Sequence, residues 1–272
     1  MPKFDMGAAW DDSVVLLKSH SALTLTIAAV FFFLPTLAVS WFGPVPIEPA
    51  ANATFEQMMA TFQESARQAL PYQLLTAVIT AIGGVGIMRL WLSRTGISVG
   101  DALVFALRMT PTMIAIQLLF GLGVGVIAVA LFLPGFAAGG GAVGVLLLFI
   151  AAMLFLGVCL YLWGRLAAVS PTLVDHGLVN PLSAIGEGWR LTQDNGWRIA
   201  LFMFLVTLVV LIIAVMIGGL VAAVVGTGDG IGRMLIGLVE GAVAAVGGLV
   251  SAAISTAAYR QLAIRGSQDT FA

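Results

Sequence analysis

The chain contains little charge, one cysteine and two histidines, and each scarcity excludes a class of protein. Charged residues make up 9% of the 272 residues, whereas soluble domains carry about 25%. The single Cys159 allows neither a disulfide within the chain nor a cysteine metal cluster. His20 and His176 lack metal-ligand spacing. A net charge of −1 gives no basic surface for nucleic acid.

Apolar residues, in contrast, make up 60% of the sequence, and the mean hydropathy is +1.08. A helix needs about 20 apolar residues to cross the hydrocarbon core of a bilayer. Backbone groups in lipid must be hydrogen-bonded internally, which favours helices over open strands. The sequence therefore predicts an all-α polytopic membrane protein, a single integral membrane domain over 1–272. Its six predicted spans are about 21–42, 71–93, 110–133, 142–168, 197–225 and 231–257.

Ten of the twelve Lys and Arg residues lie on one side of these spans. The ten are Lys3, Lys18, Arg89, Arg94, Arg108, Arg165, Arg190, Arg198, Arg260 and Arg265. Only Arg67 and Arg233 lie on the other side. Because basic residues are enriched in cytoplasmic connections, this distribution predicts that both termini are cytoplasmic.

Short amphipathic stretches precede each odd-numbered span. They cover about 4–18, 98–109 and 180–192, and a fourth, at 54–70, lies on the opposite side. Helices with one apolar stripe and some charge lie in the headgroup plane, so we expect four interfacial helices. The unit of interfacial helix plus helical hairpin occurs three times along the chain. Three repeats and an ordinary hairpin protein with connecting helices both explain this pattern.

Side-chain spacing supports the individual interfacial helices. In the first, Met6, Trp10, Val14 and Leu17 recur at helical spacing and form the predicted apolar stripe. The second begins at Ser98, with Asp101 in the position of a capping-box acid.

Small residues recur in the last span at Gly237, Gly241, Ala245 and Gly248. This spacing lets helices approach each other closely in lipid, so we expect a packing role. Flexibility for a gate is the alternative. A similar run, Gly121, Gly123 and Gly125, lies in the third span.

The segment from Arg165 to Ile199 carries a family resemblance. It contains Arg165-Leu-Ala-Ala-Val-Ser-Pro171, Asn180-Pro181-Leu-Ser-Ala184 and Gly188-Trp189-Arg190-Leu191-Thr192. These motifs resemble those of YciC-type bacterial inner-membrane proteins and of the related membrane domain of some glycerophosphodiester phosphodiesterases. The resemblance implies a bacterial inner membrane and a role in the cell envelope. It brings no phosphodiesterase chemistry, because the catalytic part of those enzymes is a separate soluble barrel.

Three groups of residues are candidates for function. Glu240 lies within the sixth span, where a carboxylate faces a bundle interior or water-filled cavity as a rule; it is a coupling group or a structural carboxyl. Arg190, Trp197 and Arg198 are lipid-headgroup candidates. Spacing also predicts a structural charge network that includes Arg165, Asp175, Glu187 and Asp194. We find no catalytic arrangement, metal site or cofactor site.

These observations favour a non-catalytic membrane protein that acts in envelope or lipid organisation, or as a membrane partner. Membrane lipids are its expected partners, together with membrane or envelope proteins, and the oligomeric state stays open. The alternatives are a small-solute or ion transporter with Glu240 as coupling residue, and a lipid-acting membrane enzyme. A polar cavity that reaches Glu240 would favour transport, whereas a dry core with lateral grooves for lipid would favour the first function.

Overall fold

The computed structural model describes residues 3–45, 47, 50, 52–93, 96–139, 141–226 and 230–265. These residues form ten α-helices, two π-helical turns and no strands, so the predicted all-α fold is confirmed. The α-helices are α1 (Met6–Lys18), α2 (Ser21–Ala28), α3 (Leu34–Phe42), α4 (Phe55–Leu92), α5 (Val99–Ala137), α6 (Ala142–Leu166), α7 (Val169–His176), α8 (Pro181–Leu191), α9 (Gly196–Val225) and α10 (Ile231–Tyr259). The π-helical turns are Ala29–Phe33, between α2 and α3, and Arg260–Arg265, after α10.

Six helical segments are long and apolar enough to cross a membrane, which confirms the predicted number. They are Ser21–Phe42, Glu56–Leu92, Val99–Ala137, Ala142–His176, Gly196–Val225 and Ile231–Ala263. We call the end of the bundle that holds α1, α7 and α8 the basic end. Of the ten basic residues predicted on that side, Arg94 and the side chain of Arg265 lie outside the described residues.

Two of the predicted interfacial helices are continuous with the spans that follow them. The 54–70 helix and the second span form the single helix α4, and the 98–109 helix and the third span form α5. Pro71 and Pro111 lie inside these helices without ending them. At 38 residues, α4 is about 57 Å long and exceeds an apolar core of about 30 Å. One end of α4 therefore extends beyond the hydrocarbon region.

The face through which the first interfacial helix packs on the bundle coincides only in part with the predicted stripe, since Met6 and Leu17 of that stripe pack against the core. Ala9, Ser13 and Leu16 are its buried residues, whereas Trp10 is 50% exposed. Small side chains at Ala9 and Ser13 let α1 approach α10 closely. The backbone N–H of Phe4 also donates to Asn195 Oδ1 at 2.8 Å. Close packing therefore decides which face is buried.

Aromatic side chains of the first span fit against the glycines of α10. A Cβ atom added to Gly248 would lie 2.6 Å from Phe32 Cδ2, and one added to Gly241 would lie 2.9 Å from Phe33 Cδ2. These distances are too short for any larger residue without a shift of the ring. The packing role predicted for the small residues of the last span is thus confirmed. Gly121 and Gly125, in contrast, have open space at the Cβ position.

Arg233 closes the opposite end of the bundle. Its Nε donates to the Ser40 carbonyl and its Nη2 to the Gly43 carbonyl, each at 2.8 Å. The last carbonyls of a helix lack partners within it, so Arg233 completes the hydrogen bonding at the end of α3. In the opposite direction, the indole N–H of Trp41 on α3 donates to the Met234 carbonyl on α10 at 3.1 Å. Arg233, one of the two basic residues at this end, therefore has a structural role.

Candidate functional site

A cavity of about 520 Å³ lies among the helices toward the basic end. Residues of every helix from α4 to α10 contribute to its wall, and most of the lining side chains are aliphatic or aromatic. The polar contributions come from Gln117, Ser170, Ser251, Ser255 and the indole rings of Trp163 and Trp189. The cavity is therefore mainly apolar, with a few hydroxyl and amide groups.

The cavity opens sideways at the bundle surface. Leu119 and Phe120 belong to its lining and are also 41% and 38% exposed. Side chains that face both the cavity and the outside mark an opening between helices, at a depth where the surroundings are lipid. A molecule of the bilayer can therefore reach the cavity without crossing water.

The lining residues of α5 give the depth of the cavity. They extend from Ile116 to Ile127, eleven residues apart, which corresponds to about 16 Å along the helix. This is about half of a hydrocarbon core of about 30 Å. Trp163 and Trp189 lie toward the basic end of the lining, where indole rings prefer the headgroup level. The lining along α5 is thus about as long as one leaflet is thick.

Helix α8 carries one of these indoles and is fixed at both ends. Asn180 Oδ1 accepts from the Leu182 N–H at 2.9 Å as the N-cap, and Pro181 occupies the first turn. At the other end, Thr192 is fully buried and donates through Oγ1 to the Arg165 carbonyl at 2.7 Å. Gly188 allows close approach to α7, since a Cβ there would lie 2.6 Å from Val169 Cγ2. These contacts set the position of Trp189 relative to Arg165.

Arg165 lies under Trp189, at the end of α6. Its guanidinium carbon is 4.2 Å from the centre of the Trp189 ring, and the residue is 4% exposed. The side-chain stem passes Gly196, where an added Cβ would lie 2.5 Å from Arg165 Cδ. Glycine at the start of α9 therefore provides the space through which Arg165 reaches Trp189.

The predicted charge network divides into separate arrangements. Arg165 stacks on Trp189, and Glu187 pairs with Arg190 at 2.7 Å, as the spacing of these two residues predicts. Asp175 accepts a hydrogen bond of 2.6 Å from the hydroxyl of Tyr259. Asp194 is exposed in the turn before α9. In the described part of the chain these groups do not join into one network, because the Asp175 carboxylate binds Tyr259 of α10.

The headgroup candidates lie together at the basic end. Arg190, Trp197 and Arg198 are all exposed, and the Trp197 ring is 5.4 Å from that of Tyr161. Tyr161 also borders the space beside Gly196 through which Arg165 passes. The exposed cations and the buried Arg165 therefore belong to one region around the junction of α8 and α9.

Glu240 lies elsewhere. It is exposed and lines a shallow groove between α9 and α10, together with Gly218, Gly219 and Val243. The structure places this carboxylate on the outer surface of the two helices and not in the wall of the 520 Å³ cavity. The spacing within α10 explains the difference, because the face of Gly237 and Gly241 packs against the first span and Glu240 lies on another face.

Sequence reasoning missed the cavity and two polar contacts at the basic end. One is the bond from Tyr259 to Asp175. The other involves Arg89, which donates through Nη1 to the Val174 carbonyl at 3.3 Å and stacks 4.5 Å above the Phe105 ring. Neither contact produces a pattern in the local sequence, because the two partners of each hydrogen bond are about 85 residues apart.

No protein-family model matches the chain, and comparisons with curated proteins and with solved structures find no match either. The resemblance to YciC-type proteins therefore stays a prediction.

Proposed function

We propose that the protein is a non-catalytic lipid-binding protein of the bacterial inner membrane that acts in envelope lipid organisation. The 520 Å³ cavity carries the proposal. It is mainly apolar, opens toward the lipid and is about as long along α5 as one leaflet is thick, so it suits an acyl chain that enters from the side. Both termini are cytoplasmic in this proposal, so the end of the cavity that holds Trp163 and Trp189 faces the inner leaflet.

The alternative of a transporter coupled through Glu240 has less support. Glu240 lines the α9–α10 groove, whereas the larger cavity lies among other residues and is mainly apolar. Coupled transport needs ionisable groups that face an interior pathway. We therefore expect Glu240→Gln to leave lipid binding unchanged.

Two glycines on α5 give a matched test of the cavity. Gly123 borders the cavity, and Gly125 does not belong to its lining. Both are exposed, and an added Cβ would meet nothing within 4 Å at either position. Gly123→Trp therefore brings bulk to the cavity, and Gly125→Trp brings the same bulk to the nearby helix surface.

The measurement is the amount of phospholipid retained per chain after purification in mild detergent, determined by mass spectrometry. We expect Gly123→Trp to retain several-fold less phospholipid than the wild type, and Gly125→Trp to retain a wild-type amount. Equal retention by the two variants would refute the proposed binding site, because the cavity would then make no contribution.

A further inference from the structure

Arg165 is a buried cation without an acidic partner in the described part of the chain. No Asp or Glu oxygen described there lies within 4.0 Å of its guanidinium nitrogens. Its Nε is fully buried and has no hydrogen-bond partner there either. Buried charges are retained in proteins when they are paired and hydrogen-bonded. Arg165 therefore points to an anion from outside the chain.

The surroundings of Arg165 offset its charge only in part. The Trp189 ring supplies a cation–π contact at 4.2 Å. Arg165 lies in the last turn of α6, whose C-terminal end adds the partial negative charge of a helix terminus, about half an elementary charge. Neither contact gives the planar guanidinium the two-point acceptor that it binds best, a carboxylate or a phosphate.

The position of Arg165 relative to the cavity limits what the anion can be. The next two residues in the chain, Leu166 and Ala167, line the cavity, and so does Trp189, on which the guanidinium lies. The apolar space open to lipid is thus bordered, near the headgroup level, by an indole on which a buried cation stacks. A molecule that matches both parts has an acyl chain and an anionic head.

We propose that Arg165, stacked on Trp189, is the headgroup subsite for an anionic glycerophospholipid whose acyl chain lies in the cavity along α5. This inference rests on the proposed function and adds the class of lipid. The phosphate accepts hydrogen bonds from the guanidinium, and the net negative charge of the lipid neutralises the buried cation. Phosphatidylglycerol is the natural probe, and phosphatidylcholine is its zwitterionic counterpart.

The exposed cations nearby have a different role in this proposal. Arg190 already pairs with Glu187 at 2.7 Å, and Arg198 is exposed. Exposed arginines attract an anionic surface but discriminate weakly between lipids, because water and salt screen their charge. Selectivity for the bound lipid therefore resides in Arg165.

Arg89 provides a matched control for the loss of a stacked arginine. Its guanidinium lies 4.5 Å above the Phe105 ring, in a contact similar to that of Arg165 on Trp189, and it belongs to the same end of the bundle. Arg89 and Arg165 both lie outside the cavity lining and next to residues that belong to it. They differ in their partners, because Arg89 donates to the Val174 carbonyl, whereas Arg165 stacks on the lining residue Trp189 and its Nε has no hydrogen-bond partner in the described part of the chain. Arg165→Met and Arg89→Met each remove one cation and one cation–π contact, and Arg89→Met also removes the bond to the Val174 carbonyl. Only the first change alters the proposed subsite.

The experiment reconstitutes the wild-type protein and both variants in nanodiscs that contain equal amounts of phosphatidylglycerol and phosphatidylcholine with identical chains. The protein is then extracted in mild detergent, and the retained lipids are quantified by mass spectrometry. We expect the wild type and Arg89→Met to favour phosphatidylglycerol about ten-fold, because both lipids offer a phosphate to the guanidinium but the choline cation of phosphatidylcholine is repelled by it. Arg165→Met is expected to retain both lipids alike. If Arg165→Met does not fold, Arg165→Gln, which is also uncharged, takes its place.

The outcomes separate the inference from the function on which it rests. An unchanged preference for phosphatidylglycerol in the Arg165 variant overturns the headgroup subsite. Equal retention of both lipids by the wild type, with both lost in Gly123→Trp, overturns the subsite but leaves the lipid-binding function. If the wild type retains neither lipid, both proposals fail.

Discussion

The hydroxyl of Tyr259 donates a hydrogen bond of 2.6 Å to Asp175 Oδ2, across 84 residues of sequence. Tyr259 is 1% exposed, so this bond joins the end of α10 to the end of α7 in a largely buried place. His176 Nε2 lies 3.5 Å from the same hydroxyl. Because α7 connects the span that carries Arg165 to helix α8, the bond stabilises the framework on which the cavity depends.

Removal of this hydroxyl is expected to lower stability. Tyr259→Phe leaves the Asp175 carboxylate without its 2.6 Å donor, and the loss of a hydrogen bond to a charged group costs about 1.5–3 kcal/mol. Tyr72→Phe is the matched control, because Tyr72 is 40% exposed. The free energy of unfolding in detergent, measured with a denaturant, tests the difference. Equal stability of the two variants would contradict a stabilising role for the bond.

Substitution by alanine is expected to have different effects at Gly247 and Gly248, two adjacent glycines of α10. An alanine Cβ at Gly248 would lie 2.6 Å from Phe32 Cδ2, whereas one at Gly247 would meet nothing within 4 Å. We expect Gly248→Ala to destabilise the fold by about 1–3 kcal/mol through overpacking. Gly247→Ala is expected to be neutral or slightly stabilising, because alanine favours helix over glycine. The midpoint of thermal unfolding, measured for each variant, tests this prediction. Similar midpoints would show that the ring of Phe32 moves aside at little cost in free energy.

Arg233 and Arg67 lie at the end of the bundle opposite the basic end, and their removal is expected to affect stability differently. Arg233→Met removes two hydrogen bonds of 2.8 Å to the carbonyls of Ser40 and Gly43, which should cost about 1–3 kcal/mol. Arg67 is exposed on α4, and Arg67→Met is expected to change stability by less than about 0.5 kcal/mol. Denaturant unfolding of both variants compares them. An Arg233→Met variant that is as stable as Arg67→Met would mean that the cap of α3 is not important for the fold.

The orientation in the membrane is tested by labelling from one side. In a Cys159→Ser background, Ala138→Cys and Gln193→Cys each place a thiol at an exposed position, toward opposite ends of the bundle. The distribution of basic residues predicts that Gln193 is cytoplasmic. A membrane-impermeant maleimide applied to cells with a permeabilised outer membrane should label Ala138→Cys and not Gln193→Cys. The reverse labelling pattern would contradict the predicted orientation.

Hydropathy was sufficient to predict the six spans, because each span must satisfy its own backbone in lipid whatever its neighbours are. The capping signal at Ser98 was also local, and Ser98 Oγ does accept from the Asp101 N–H, at 3.1 Å. The sequence predicted helix boundaries less well where a proline lies within a helical pattern. Pro71 interrupts the apolar pattern, yet α4 continues through it, so an expected boundary between two helices is absent.

The candidate site depended on contacts that no local pattern encodes. The stacking of Arg165 on Trp189 requires the space beside Gly196 and the bond from Thr192 to the Arg165 carbonyl. Each residue has an ordinary role when it is read in sequence, and only the packing of α6 against α8 and α9 joins them. The grouping of Arg165 with Asp175 followed from their proximity in the chain, but helix direction separates the two side chains.

The π-helical turn Ala29–Phe33 determines how length changes in the first span would act. Its rings fit against glycines of two helices: Phe31 lies against Gly83 of α4, and Phe32 lies between Gly83 and Gly248 of α10. Deletion of one residue from this turn would rotate everything after it by about 100°, the angle between successive residues of an α-helix. Trp41 lies eight residues after the end of the turn and fits against Gly237 of α10. After the deletion, Trp41 would face away from α10. The first span therefore tolerates substitution at its lipid-facing positions much better than any change in its length.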